Sequence, residues 1–212
     1  MNADIKYVLS MSCVLPALIG LFRYNKIHSK YHPFIYMMIL TAVVETIFYA
    51  AYKFPQLGLF PKLAVNTYML VNFALFLYFV YLNNYLSKRL LQWLLAIAVL
   101  VSLLNFAYLH TFLQAFSYLL CYVSAVMLII SIDILSRQIM ATKEKLVNNF
   151  WAWVSSFSII YNAITLLIYS QLFFAVTNAQ NVNPIASIQH FVNLICYVFF
   201  AVAMLKIPKK II

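Results

Sequence analysis

The sequence predicts an all-α fold, a polytopic membrane protein built as one bundle of seven transmembrane helices. Of its 212 residues, 66% are hydrophobic and only 8% are charged, too few to cover a surface that faces water. Seven apolar stretches have lengths that suit a hydrocarbon core of about 30 Å. They are residues 3–22, 33–52, 63–82, 90–109, 112–135, 150–173 and 188–205.

The lysines and arginines predict the orientation of the bundle. Eleven of the fourteen fall in the segments after spans 1, 3, 5 and 7, and three, Lys6, Lys53 and Lys62, fall on the other side. Because cytoplasmic loops retain Lys and Arg, we expect the N-terminus outside and the C-terminus in the cytoplasm. We expect a multi-pass protein of the plasma (inner) membrane.

Prolines and charges mark the ends of several spans. Asp4 and Lys6 stand at the start of span 1 in place of a basic leader region, so we expect this span to be retained, and Pro16 predicts a kink within it. Pro33 opens span 2, two further prolines bound the segment between spans 2 and 3, and Pro184 precedes span 7.

Spans 4 and 5 come from one apolar stretch. Residues 90–135 would extend about 69 Å as a single helix, more than twice the hydrocarbon thickness, so the chain must turn back. His110 and Gln114 lie near its middle and predict an outer turn at 109–112. The longest connections have 14 residues, so we expect residues 1–212 to form a single transmembrane domain without a soluble module.

Glu45 is the one acidic residue that lies deep in a predicted span. It stands 12 residues past Pro33, about 18 Å from the inner end of span 2 at 1.5 Å per residue. A carboxylate at that depth costs roughly 2.5 kcal/mol or more unless it is protonated, paired or hydrated, so such residues usually face the bundle interior. Thr41 and Tyr49 share its helix face.

Four asparagines lie at a similar depth. Asn72, Asn105, Asn162 and Asn193 fall about 16 to 22 Å from the inner side, and with Glu45 they define a polar layer just outside the midplane. On span 6, polar side chains recur with 3-4-3-4 spacing, which predicts a stripe that faces protein or a cavity. The stripe consists of Ser155, Ser158, Asn162, Thr165 and Tyr169.

The polar layer has two interpretations. One is an interhelical hydrogen-bond layer that stabilises the bundle, with about 0.6 kcal/mol per bond. The other is an outward-facing polar pocket for a small molecule or lipid, with Glu45 at its centre. The predicted ligand-binding residues are Thr41, Glu45, Tyr49, Asn66, Asn72, Asn105, Asn162, His190 and Asn193.

Other polar residues point to structure rather than chemistry. Asp133 and Arg137, four apart near the inner end of span 5, predict a cytoplasmic ion pair or, alternatively, a switch that holds the inner face shut. His28 and His32 lack a third ligand nearby, so no metal site is predicted. No cofactor is predicted either. The net charge of +10 lies mainly at helix ends, where it suits membrane lipids rather than nucleic acid.

The signatures of well-known seven-helix families are missing from the sequence. Residues 188–205 contain no lysine to bind retinal, and the acidic-Arg-aromatic and N-P-x-x-Y motifs of G-protein-coupled receptors do not occur. The histidines are too scattered for a seven-span zinc hydrolase. Pro55 and Gln56 form the dipeptide of PQ-loop transporters, but only once and in a predicted outer loop, so we treat the match as coincidence.

Four interpretations of function remain. We favour a non-enzymatic receptor-like or sensory module that relays to a protein partner at the cytoplasmic face or in the membrane. A proton-coupled secondary transporter would use Glu45 as its titrating group, but two glycines and one intramembrane proline offer few hinges. A structural subunit of a membrane complex is a further alternative. An enzyme has the least support, since the sequence shows no nucleophile and base at a spacing typical of a catalytic pair.

Overall fold

A computed structural model of the chain describes Leu9 and residues 11–54, 60–109, 117–141, 146–174 and 182–210. Inside the helices, the description leaves out the side chains of Tyr52, 60–66, 105–109, Ser117, 169–174 and 182–187. The predictions that concern Lys62, His110, Gln114 and Lys143 therefore lie outside the described residues or side chains.

The described residues confirm the all-α class. They form seven α-helices, and their one extended contact is an isolated antiparallel bridge between Ile27 and Lys209. The helices are α1 Val14–Arg23, α2 His32–Lys53, α3 Phe60–Leu82, α4 Lys88–Leu109, α5 Ser117–Ala141, α6 Phe150–Phe174 and α7 Val182–Lys206. Short 3₁₀ turns flank α1 and precede α2 and α6.

Several of these helices are suited to a lipid bilayer. Four stretches are long and apolar enough to cross a membrane: Ser29–Ala51, Tyr118–Ala141, Phe150–Ile168 and Ile188–Lys206. Thr67–Leu82, within α3, is a shorter apolar helix. Their length and composition support an integral membrane protein. The number of crossings and their orientation stay predictions.

Two helices extend beyond the span limits that hydropathy predicts. α5 continues to Ala141, past the predicted span end at 135, because Arg137 and Gln138, which end the apolar stretch, are good helix formers. α7 begins at Val182 rather than 188 and takes Pro184 into its first turn, where the missing N–H leaves no helical bond unmade.

Pro16 interrupts the first span. It lies in the first turn of α1, and the 3₁₀ turn Met11–Cys13 comes directly before that helix. The proline ring disfavours a regular α-helix through the preceding turn, so the irregularity lies where the sequence predicts a kink.

The helices pack in the order in which they occur along the chain. Each contacts the next, α7 returns to α1, and α3 reaches across to α5. The approach of α1 to its neighbours is close at Gly20, where a Cβ atom would lie 2.9 Å from Ile35 Cγ2 and 3.4 Å from Met204 Cε. A single glycine thus allows the tight contact of α1 with both α2 and α7.

One helix lies at the edge of the bundle. The main contacts of α4 are with α3 and α5, and its other side exposes large apolar side chains. They include Leu90, Trp93, Ile97, Leu100, Leu103 and Leu104. A surface of this composition is suited to acyl chains.

Five buried aromatic residues pack at one end of the core. This aromatic cluster consists of Tyr31, Phe34, Phe79, Phe150 and Trp151. Phe79 stacks on Trp151 with ring centroids 4.6 Å apart and on Phe34 at 5.5 Å. Tyr31 meets Phe150 edge to face at 5.3 Å. Stacked and edge-to-face pairs are the preferred aromatic arrangements, so the cluster joins α2, α3 and α6 firmly.

We call the end of the bundle beside this cluster the basic end. It comprises the connections 24–31 and 83–87, the described residues 138–141 and 146–149, and the tail 207–210. The described cationic residues in these segments and at the helix ends next to them are Arg23, Lys26, Lys30, Lys88, Arg89, Arg137, Lys206, Lys209 and Lys210.

Hydrogen bonds join the connections of the basic end to one another. Asn83 Nδ2 donates to the Lys30 carbonyl at 3.3 Å, and Gln138 Nε2 donates to the Tyr85 hydroxyl at 2.6 Å. Asn149 Nδ2 donates to Gln138 Oε1 at 2.6 Å. Burial raises the pKa of Tyr85, and nearby Arg137 lowers it less, so its hydroxyl stays protonated at neutral pH.

The tail after α7 is tied to the connection between α1 and α2. Arg23 Nη1 donates to the carbonyl of Met204 and Nη2 to that of Ile207, the latter at 3.1 Å. The backbone N–H of Lys210 donates to the Lys26 carbonyl at 2.9 Å. Because the last carbonyls of a helix lack helical partners, the guanidinium of α1 caps the C-terminus of α7.

Candidate ligand cavity

Side chains from five helices enclose a small cavity near the middle of the bundle, with a volume of about 50 Å³. The cavity extends from the level of Thr41 and Asn162 toward the aromatic cluster. Its walls combine aromatic rings, methionines and a few polar groups. They are Phe34, Met37, Met38, Thr41, Tyr68, Asn72, Phe76, Met127, Val154, Ser158, Tyr161, Asn162, Tyr197 and Phe200.

Thr41 and Tyr68 form a hydrogen-bonded pair in the cavity wall. Thr41 is buried, and its hydroxyl donates to the Met37 carbonyl one turn earlier at 2.8 Å. The Tyr68 hydroxyl lies 3.0 Å from Thr41 Oγ1. Since Thr41 has a single hydroxyl proton, Tyr68 must be the donor of that bond. The Tyr68 oxygen keeps its lone pairs as acceptors.

Asn72 supplies an acceptor without a partner. Its Oδ1 atom is buried and accepts no hydrogen bond from the described residues. A buried acceptor left in this way costs about 1–3 kcal/mol. The helical register places Asn72 one turn after Tyr68, so both oxygens come from the same face of α3.

The polar stripe on α6 serves both the cavity and the helix interfaces. Four of its five side chains, Ser155, Ser158, Asn162 and Thr165, are buried, as the spacing predicts, and the side chain of Tyr169 lies outside the description. Asn162 Nδ2 donates to the Ser158 carbonyl at 2.8 Å.

Two bonds carry this stripe to the neighbouring helices. Ser158 Oγ accepts from Ser131 of α5 at 2.9 Å, and Thr165 Oγ1 accepts from Gln189 of α7 at 3.2 Å. These two bonds join neighbouring helices, as expected for the interhelical hydrogen-bond layer that is one of the two interpretations of the sequence.

Glu45 lies beside the cavity rather than in its wall. It is half-buried, one turn from Thr41 on the side away from the basic end. Its carboxyl lies within electrostatic range of Cys13, Tyr68 and Tyr197. Within the described part of the chain, its carboxylate has neither a hydrogen bond nor a salt bridge.

Other predicted site residues lie apart from the cavity. Tyr49 is 37% exposed, with the Lys53 ammonium 5.7 Å from its ring centroid. Asn193 is buried and its Oδ1 accepts from Gln189 Nε2 at 3.0 Å. His190 is half-buried on α7. The side chains of Asn66 and Asn105 lie outside the description.

Asp133 and Arg137 form an ion pair on the surface of α5. Arg137 Nη2 lies 2.8 Å from Asp133 Oδ2, and Nε donates to Oδ1 at 3.2 Å. Both side chains are about half exposed, at 48% and 51%. Water screens such a pair, which contributes about 0–1 kcal/mol to stability.

Sequence reasoning missed Tyr68 and Tyr197 as cavity residues. Both side chains are polar only at their tips, so they read as apolar in a hydropathy scan. Helical spacing could have identified them, because Tyr68 lies four residues before Asn72 and Tyr197 four residues after Asn193, on the same helix faces.

The cavity also touches the aromatic cluster. Phe34 belongs to both: it lines the cavity, stacks on Phe79 and meets Phe150 edge to face with centroids 5.6 Å apart. Phe200 of the cavity wall packs against Phe34 at 5.8 Å.

The described residues contain no group of three or more His, Cys, Asp or Glu side chains that could hold a metal ion. Comparison of the chain with protein-family models, curated proteins and solved structures finds no match.

Proposed function

We propose that the protein is a non-enzymatic sensory module of the membrane that binds a small, hydrogen-bond-donating ligand in the central cavity. The observation that carries the proposal is the buried Asn72 Oδ1, which has no partner among the described residues. A ligand that donates to it would recover the cost of a buried, unpaired acceptor.

The size and chemistry of the cavity define the ligand. Its volume of about 50 Å³ is far below the roughly 300 Å³ of ordinary metabolite pockets and suits a group the size of one or two water molecules. The oxygens of Asn72 and Tyr68 are available as acceptors, and aromatic faces surround them. An ammonium ion, or the ammonium head of a small amine, combines N–H donors with a charge that aromatic faces attract.

The aromatic cluster supports a relay from the cavity to the basic end. A ligand that displaces Phe34 or Phe200 would move rings packed against Phe79 and Phe150. Closely packed cores shift between discrete arrangements rather than deform continuously. A partner protein bound at the basic end would therefore sense whether the cavity is occupied.

We further propose that all seven helices cross the plasma membrane, with the basic end in the cytoplasm. The gathering of nine cationic residues at one end of the bundle supports this orientation. Single cysteines at Lys26 and Lys62 test it with an impermeant thiol reagent on intact cells. We expect labelling at 62 only, and labelling at 26 would refute the orientation.

Thermal unfolding of the purified protein tests ligand binding. We expect ammonium and methylammonium chloride to raise the unfolding temperature, while sodium and tetramethylammonium chloride do not, because they lack N–H donors. Asn72→Leu should abolish this shift, since leucine has a similar size but no acceptor. Asn193→Leu is the matched control, because Asn193 already has a partner, and it should retain the shift.

Two results would overturn this proposal. One is an unfolding temperature of the wild-type protein that responds equally to all four salts. The other is an ammonium-specific shift that survives in Asn72→Leu.

A proton-coupled carrier is the second candidate, and Glu45 is the observation that favours it. Its half-buried carboxyl lies beside the cavity without a hydrogen bond from the described residues, so a change of protonation breaks no described bond. A carrier reconstituted in vesicles would accumulate methylammonium along a pH gradient, and Glu45→Gln would stop the accumulation. A sensory module would show no protein-dependent accumulation in either form.

A further inference from the structure

A second cavity lies at the basic end, separate from the central one. Its volume is about 230 Å³, and its walls come from the connection between α1 and α2 and from the tail after α7. The polar side chains that line it are Asn25, His28, Ser29, His32 and Lys210. We call it the basic cleft.

Backbone contacts hold the two walls of the basic cleft together. The Lys210 N–H donates to the Lys26 carbonyl, and Ile27 forms a β-bridge with Lys209. The cap of Arg23 on the end of α7 fixes the same tail. Lys210 is thus held opposite His28 and His32, although some 180 residues of chain separate them.

The histidines are oriented by their own hydrogen bonds. His28 Nδ1 accepts from the Lys30 N–H at 3.3 Å, so the Nε2 atom carries the proton and is a free donor. His32 Nε2 pairs with the Tyr24 carbonyl at 3.3 Å, and its ring stacks on Tyr24 with centroids 4.0 Å apart. Both rings are therefore fixed before any ligand arrives.

The charge of the basic cleft has no counterpart among the described residues. Lys26 and Lys30 flank it, in addition to Lys210 in its wall. The described carboxylates are elsewhere: Glu45 lies within α2, and Asp133 is paired with Arg137 on α5. The cleft is thus rich in donors and positive charge, and no carboxylate of the described residues lies beside it.

We propose that the basic cleft binds a phosphate group, either the headgroup of an anionic phospholipid or a soluble phosphate ester. Phosphate oxygens accept charge-assisted hydrogen bonds from the Lys210 ammonium and the His28 Nε2–H, and the Asn25 amide and Ser29 hydroxyl add neutral donors. The cleft lies at the end of the helices, the level at which lipid headgroups occur.

Native mass spectrometry of the full chain in detergent micelles tests the lipid form of the proposal. Wild-type protein should retain phosphatidic acid in preference to phosphatidylcholine. Lys210→Gln and His28→Asn should each lower that retention by about tenfold, as loss of a charge-assisted hydrogen bond implies. Asparagine at 28 keeps an acceptor for the Lys30 N–H, so the local turn is preserved.

Lys88→Gln is the matched control, because Lys88 is an exposed cation of the basic end outside the cleft. It should leave retention unchanged. The unfolding temperature in neutral micelles with added inorganic phosphate tests the soluble form of the proposal. An increase that Lys210→Gln removes identifies soluble phosphate as a ligand. Retention of phosphatidic acid without such an increase identifies the lipid headgroup.

The proposal is overturned if wild-type protein shows neither response, or if Lys88→Gln reduces both as much as Lys210→Gln does. The second result would mean that general surface charge, not the cleft, attracts the anion. Neither response depends on ammonium binding in the central cavity, so this proposal and the proposed function fail independently.

Discussion

The basic end and the central polar layer use polar side chains in opposite ways. At the basic end, Gln138 and Asn149 bond to each other, to a tyrosine and to the backbone, so the amides of both residues have partners. In the central layer, the buried Oδ1 atom of Asn72 has no partner among the described residues. Satisfied polar groups fix a structure, whereas unsatisfied ones keep a capacity to bind.

This difference separates the two interpretations that the sequence left open. Part of the central layer does join helices, through Ser131 with Ser158 and Gln189 with Thr165. In the cavity wall, Asn72 Oδ1 keeps an acceptor that no described residue uses. Substitutions at the basic end should therefore reduce stability most, and those around the cavity least.

Arg23→Met should have the largest effect. It removes two hydrogen bonds from a charged donor to the end of α7, and we expect the free energy of unfolding to fall by about 2 kcal/mol. Methionine keeps the apolar stem, so the loss reports the guanidinium. Arg89→Met, at an exposed position, is the control. Equal unfolding temperatures for the two variants would contradict the cap.

Asn149→Ala should cost about 1–2 kcal/mol. Asn149 Oδ1 accepts from the backbone N–H of Trp151 at 2.9 Å and caps α6. Asn149→Asp keeps this acceptor but not the donor to Gln138, so it should recover part of the loss. Denaturant unfolding of the three proteins gives the order wild type, Asp, Ala. An aspartate variant no more stable than the alanine one would argue against the cap.

Ser131→Ala should cost only about 0.6 kcal/mol, the usual value of one interhelical bond in a membrane. The bond to Ser158 is its one described hydrogen bond. A double-mutant cycle with Ser158→Ala isolates the pair from other effects. A coupling energy above about 2 kcal/mol would mean that the bonds of the central layer stabilise the bundle as much as those of the basic end, which would contradict the difference between the two regions.

Asn72→Leu should have the smallest effect on stability, neutral or slightly stabilising, because it removes a buried acceptor that has no partner. Thermal unfolding without added ligand measures this. A loss comparable to that of Asn149→Ala would mean that Asn72 holds the bundle together.

Hydropathy predicted the helices well because lipid demands long, internally hydrogen-bonded apolar segments. The predicted start of span 6 at 150 coincides with the start of α6 at Phe150, and Pro33 stands at the start of α2. Hydropathy says less about where a helix stops. α5 continues past the predicted end at 135 to Ala141, because Arg137 and Gln138 are polar but good helix formers.

The site was only partly predictable because depth fixes a residue's height but not the direction in which it points. Asn72 and Asn162 share a level and face one cavity, whereas Asn193, at a similar level, faces Gln189. The basic cleft could not be predicted at all. It forms between His28 and Lys210, and no local pattern brings together residues so far apart in the chain.

The cap of Arg23 on α7 also bears on how the protein is made. The guanidinium and its acceptor at Met204 are 181 residues apart, a distance that a ribosome covers in roughly 10 to 40 seconds. During that interval the charged side chain of Arg23 has not met its final acceptors. The contact between α1 and α7 therefore closes last, after synthesis has passed α7, and until then the nascent bundle is open on the side of α1 that α7 will cover.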